Sequence, residues 1–115
     1  MATEIGHCIA DLGDRLESRG KSSFAHQLQA QSPRISGILA EGSSSPTKPG
    51  FAEFVAGARA ATLEIANLII FLAERELIPD EEEAKLINML KREAKMLENF
   101  RQSLERAAPP EVVVA

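Results

Sequence analysis

Two long runs of helical periodicity, about 51–76 and 80–107, are joined only by Leu77, Ile78 and Pro79, and this short link constrains the chain more than any other feature. At ~1.5 Å per residue each run makes a helix of about 40 Å, and so short a connection folds the second back antiparallel to the first. Along the first, Phe51, Phe54, Ala58, Ile65, Leu68, Ile69 and Leu72 recur three or four apart and form one apolar stripe. Ile87, Leu90, Ala94, Leu97 and Leu104 do the same along the second. That second helix has a marked start: Asp80 is placed as N-cap with Glu83 completing a capping box, and Glu81 and Glu82 complement the positive end of the dipole. Pro109 and Pro110 should stop it near Ala107.

Two further helices are expected upstream. The first, about 3–19, carries Ile5, Ile9, Leu12 and Leu16, and Gly20 supplies a left-handed stop. Gly6 and Gly13 weaken it by roughly 1 kcal/mol each relative to Ala. The second, about 22–41, has Ser22 or Ser23 as cap and buries Phe24, Leu28, Ile35, Ile38 and Leu39. Pro33 inside it predicts a kink, or a restart capped by Ser32. Gly42 is placed to end it, and the Ser-, Pro- and Gly-rich stretch 42–50 reads as a surface loop. No segment alternates with period two. The expected fold is therefore all-α: an antiparallel up-and-down four-helix bundle over residues 1–107, with a tail at 108–115 expected to be disordered.

A chain of 115 residues is one domain, and with five Phe and no Trp or Tyr its core must be aliphatic and Ala-rich. The net charge of −4 argues against general binding to phosphate backbones, which favours a basic face. Cys8 is alone, so no intrachain disulfide can form, and a reducing compartment fits. The N-terminus has neither a basic region nor an apolar stretch of signal-peptide type, and the run Leu68 to Leu72 is too short for a bilayer. The expected location is the cytoplasm, without membrane contact.

Little catalytic chemistry is legible. Glu4-x-x-His7 has the spacing of a di-iron half-site, but His26 has Ser23 three residues before it, so the second pair is missing. His7 and Cys8 are neighbours in sequence and point ~100° apart on a helix, which excludes a nucleophile–base pair by that adjacency. No phosphate loop, Ser-His-Asp set, CxxC or aromatic stacking platform occurs. The expectation is a non-enzymatic protein with no metal and no cofactor.

Charge and surplus apolar surface say more. Glu41 beside Gly42 stands at the negative end of a helix dipole, which calls for a compensating cation; Arg59 or Arg34 is the expected partner, and Glu64 completes this set of ion-pair candidates. Lys85, Lys91, Arg92, Lys95, Arg101 and Arg106 alternate with Glu81, Glu82, Glu83, Glu93, Glu98 and Glu105, the pattern of a solvated mixed surface. The third helix adds Leu63, Ala66 and Ile70 to its stripe, and the fourth adds Leu86, Met89, Met96 and Phe100. A stripe of about 100° is enough for a lone bundle, so Leu63, Ile70, Leu86, Met89, Met96 and Phe100 are the candidates for an interface between copies.

The block Gln27 to Ser43, then Glu53-Phe54, then Ala58-Arg59-Ala60-Ala61 with Glu64-Ile65, resembles the four-helix-bundle family encoded in intervening sequences of bacterial 23S rRNA genes. The family pattern runs Gln-Ile-Arg-Arg-Ala-Ala-Val-Ser-Ile-Pro-Ala-Asn-Ile-Ala-Glu-Gly-Ser, then Glu-Phe, then Ala-x-Gly-Ser-x-x-Glu-Leu-Glu. Gln27, Ile35, Ala40, Glu41, Gly42, Ser43, Glu53, Phe54, Ala58 and Glu64 coincide with it. The resemblance implies a ring-shaped homo-pentamer. Through the related accessory protein of diversity-generating retroelements, it also implies a reverse-transcriptase and nucleic-acid partner. The chain departs from the pattern at Gln29-Ala30, where the family has Arg-Arg, at Ile38, where it has Asn, and at Ala60-Ala61, where it has Gly-Ser. Each departure removes a polar or basic group and counts against the nucleic-acid role. The expected function is an assembly or interaction module for an unidentified protein partner; the alternative is a nucleic-acid-binding adaptor.

Overall fold

A computed structural model of the chain describes residues 2–106, with side-chain surroundings from residue 4 onward; the tail at 108–115 lies outside the described residues. Four helices occupy nearly all of it: α1 (Ala2–Ser18), α2 (Ser22–Gly42), α3 (Lys48–Glu74) and α4 (Asp80–Arg106). Contacts between α2 and α3 run in opposite order along the two helices: Gly42 meets Phe54, Arg34 meets Glu64, and Phe24 meets Phe71. The same holds for α1 against α4, where Arg15 meets Glu82 while Ile5 reaches the level of Leu90 and Glu93. The bundle is thus up-and-down and antiparallel, and elongated, 59 × 22 × 19 Å.

The stripes read from sequence form one core. Ile5, Ile9, Leu12 and Leu16 of α1 pack with Leu28 and Ile35 of α2, Val55, Ile65, Ile69 and Leu72 of α3, and Leu86, Leu90 and Leu97 of α4. Ala52, Ala58 and Ala61 are also buried, so α3 meets its neighbours with little side-chain bulk between them. Thr62, fully buried, satisfies its hydroxyl by donating to the Ala58 carbonyl at 2.9 Å. Aromatic pairs stand at both ends: Phe24 against Phe71 with ring centroids 5.9 Å apart, and Phe51 against Phe100 at 5.3 Å, edge to face.

The helix ends depart from the sequence expectations in instructive ways. Gly20 does stop α1 at φ 78°, and the Lys21 and Gly20 amides donate to the Leu16 and Glu17 carbonyls at 2.8 and 3.0 Å, a Schellman closure. The same closure ends α3 with no glycine: Glu76 takes φ 59°, and the Leu77 and Glu76 amides donate to Leu72 and Ala73. Gly42 is not a left-handed stop but the last buried residue of α2. A Cβ there would overlap Phe54 and lie 3.0 Å from Phe51, so its role is close approach. The loop is also shorter than expected. Thr47 caps α3 by accepting the Gly50 amide at 3.1 Å, and Pro49 fits the first turn, where its missing N–H is not needed. Neither Ser22 nor Ser23 caps α2, which starts from Lys21 without a side-chain cap. Asp80 is the first residue of α4 rather than its cap, because the Pro79 carbonyl already accepts the Glu83 amide at 3.0 Å. α2 runs through Pro33 as one helix, with no restart at Ser32.

α3 is long and apolar enough to cross a membrane by length and composition alone. Here it is the core helix of the bundle, with eight residues from Ala52 to Leu72 buried against its neighbours.

Candidate interaction site

α1 has 17 residues and α4 has 27, so α1 covers only part of α4. Leu86 lies beside Cys8, Asp11 and Arg15 of α1, and Leu86 and Met89 are buried to 2% and 3% exposure, which removes both from the interface candidates. Past the start of α1 the same flank of α4 opens, leaving Met96 51% and Phe100 40% exposed. On α3, Leu63 and Ile70 are exposed at 38% and 40%, seven residues apart on one side. Leu63 borders a groove with Arg59, Lys91, Ala94, Lys95 and Glu98. At ~100° per residue Phe100 stands on the opposite flank of α4 from Lys91. The α3–α4 hairpin therefore exposes two separate apolar pairs, one on each flank. Phe71 is exposed too, under the Arg75 guanidinium, which lies 5.6 Å from its ring centre.

The ion-pair candidates separate. Arg34 and Glu64 do meet, at 3.1 Å, both half exposed. Glu41 is exposed and forms no ion pair among the described residues, which corrects the expected pairing with Arg59 or Arg34. The carbonyl end it occupies is satisfied by other means: Ser43 donates its amide to Leu39 and its hydroxyl to Ala40, at 3.0 and 2.7 Å. The carboxylate stays in water, where the dipole is screened and no cation is required. Arg59 is half-buried, its Nε lacks a partner among the described residues, and its charge acts on Glu98 across the groove. Arg101 holds both oxygens of Glu98, at 2.8 and 2.7 Å, and reaches Glu105 at 2.6 Å. The hydrogen bond from Arg101 is the main reason the Glu98 pKa falls to about 2. Arg15 forks onto Glu82 and so ties α1 to α4. Lys85, Lys91, Arg92 and Lys95 are exposed and enter no ion pair among the described residues.

Glu93 breaks the solvated-surface expectation for α4. It is 6% exposed, and its Oε2 is buried without a hydrogen-bond partner among the described residues. The signal was present in the period: residue 93 falls on the same face as Leu86, Leu90 and Leu97. Glu93 faces a chamber of about 20 Å³ between Ile5, Gly6, Ser32, Ile35, Ser36, Ile65 and Leu90. Above it, α1 and α2 frame a groove of about 450 Å³ that shares Gly6, Ser32 and Ser36 and adds His7, Gln29 and Pro33. Glu4 and His7 are exposed, and no three of His, Cys, Asp and Glu converge among the described residues. Cys8 is a half-buried free thiol on the other side of α1, beside Arg15 and Glu82.

Residues 1–99 match the 23S rRNA-intervening sequence protein family, and the chain belongs to that family. No curated protein and no solved structure matches it.

Proposed function

We propose that the chain is a non-enzymatic, self-associating helical module of the cytoplasm whose assembled surface docks a protein partner. The observation that carries this reading is the pair of apolar patches on opposite flanks of the α3–α4 hairpin, Leu63 with Ile70 and Met96 with Phe100. Contact between two different patches is head-to-tail, and repetition of a head-to-tail contact closes into a ring when the rotation permits. The number five comes from the family resemblance alone. Sedimentation or light scattering at micromolar concentration tests it: a 12.5 kDa species would overturn self-association, and a dimer or tetramer would overturn only the pentamer.

A second reading, a nucleic-acid adaptor, is favoured by the exposed Lys85, Lys91, Arg92 and Lys95 on α4 and by the rRNA context in the family's name. The acidic net charge opposes it. Binding to random RNA that weakens steeply with added salt would establish it, and absence of binding at physiological salt would dismiss it.

A further inference from the structure

We propose that the groove between α1 and α2 is a binding site for a primary ammonium group carried on an aliphatic chain, with Glu93 as its counter-ion. A carboxylate oxygen that is buried and unpartnered is expensive, because desolvation is not offset by a donor. Glu93 Oε2 is in that condition, and it faces a chamber whose other walls are Ile5, Ile35, Ile65, Leu90, Gly6 and two serines. About 20 Å³ admits one water-sized group, and an ammonium head has that size. The approach adds His7, Gln29, Ser32 and Ser36, groups that can both donate and accept. Ser32 and Ser36 offer hydroxyls. Pro33 has no amide hydrogen, so the Gln29 carbonyl loses the donor that an ordinary helical residue at 33 would give it. The carboxylate charge favours a cation and opposes an anion, and the neighbouring oxygens can accept the cation's remaining hydrogens.

The rest of the groove describes the body of the ligand. Ile9, Ala10 and Pro33 give it apolar walls, and its volume of about 450 Å³ falls in the range of small-molecule sites. Gly6 lines both the groove and the chamber, and a Cβ there would stand in ordinary contact with the Ser32 hydroxyl at 3.7 Å. A single carboxylate among hydroxyls and apolar side chains is too small an anionic set for calcium or magnesium, which gather several oxygen ligands. The ammonium can come from a free alkylamine or diamine, or from a lysine side chain of a second copy.

Titration of the full chain with n-butylammonium and with 1,4-diaminobutane, followed by amide NMR shifts, tests the site. Saturable shifts centred on Gly6, Ser36 and Glu93 are expected, with 1-butanol producing none. Glu93→Gln should weaken binding at least about tenfold, the effect of losing a charge-assisted hydrogen bond. The substitution relieves a buried charge, so the variant is expected to fold. Glu93→Met, an apolar replacement of similar reach, provides a second variant with the same expected loss. An apparent affinity independent of protein concentration assigns the ammonium to a free amine; one that weakens as protein concentration rises assigns it to a lysine of a second copy. No saturable shift in the millimolar range, or equal binding by wild type and Glu93→Gln, overturns the proposal.

Discussion

Gly42 of α2 and Phe54 of α3 are in direct contact: a Cβ at residue 42 would sit 2.9 Å from the Phe54 Cγ and closer still to its Cβ. The block Ala40-Glu41-Gly42-Ser43 and the later Glu53-Phe54 are thus two halves of one crossing, where the ring of α3 lies on the bare backbone of α2. Gly42→Ala is expected to destabilise the fold by about 1–3 kcal/mol through overpacking, despite Ala's better helix propensity. Gly37→Ala supplies the contrast. It lies in the same helix with open space around it, and should stabilise by roughly 0.5–1 kcal/mol. Urea denaturation of both variants checks the pair of signs.

Glu76 adopts φ 59° at the end of α3, a conformation that costs a side-chain-bearing residue about 1 kcal/mol. Glu76→Gly should therefore raise stability by about that amount. Gly20→Ala, at φ 78°, should lower it similarly. Thermal melts of the two variants are expected to move in opposite directions.

Arg15→Met removes the fork to Glu82 that fastens α1 to α4. The pair is partly exposed, so the global loss should be only about 0.5 kcal/mol. The local effect is larger, because α1 has few other ties to α4. Hydrogen exchange should accelerate in α1 and leave α3 unchanged.

The Glu98–Arg101 pair predicts a pH signature. A carboxylate whose folded pKa lies near 2 stabilises fully above its unfolded value of about 4.3 and loses that contribution as the pH falls toward the folded value. Arg101→Met should show a slightly lower melting temperature than wild type at pH 7. The difference should shrink across the acid range between those two values and fade with added salt.

Leu63→Glu and Met96→Glu should each abolish assembly, since each charges one of the two exposed patches. Each variant keeps the patch that the other has lost. An equimolar mixture should therefore form a heterodimer with one intact contact, detected by sedimentation; a patch that pairs with its own copy would not produce this result.

The four stripes, the antiparallel hairpin and the Gly20 stop were legible because apolar period and left-handed glycine are local signals. Thr47 as a cap and Pro49 in a first turn were hidden by a composition that also suits loops. Glu76 is not legible, because nothing in a glutamate announces a left-handed backbone; the closing turn, in which the Leu77 amide donates to the carbonyl of buried Leu72, goes with that conformation. Glu41 misled because a dipole argument assumes a charge held near the helix end, and this one is free to face water. Glu93 reads as surface by its charge and as core by its position. Its period already placed it with Leu90 and Leu97, and that position governed its environment.

The aromatic residues bear on how firmly the helices keep their axial alignment. The waist of the bundle is Ala, Ile and Leu, a surface that looks much the same after a slip of one turn, about 5.4 Å. Rings do not repeat in that way. Phe24 with Phe71 at one end, and Phe51 with Phe100 at the other, act as two unlike clasps that fit in only one setting. α3 belongs to both clasps and would have to open them together to slide, while α2 and α4 are each held by one. The smooth middle can therefore pack closely without leaving the bundle free to ratchet.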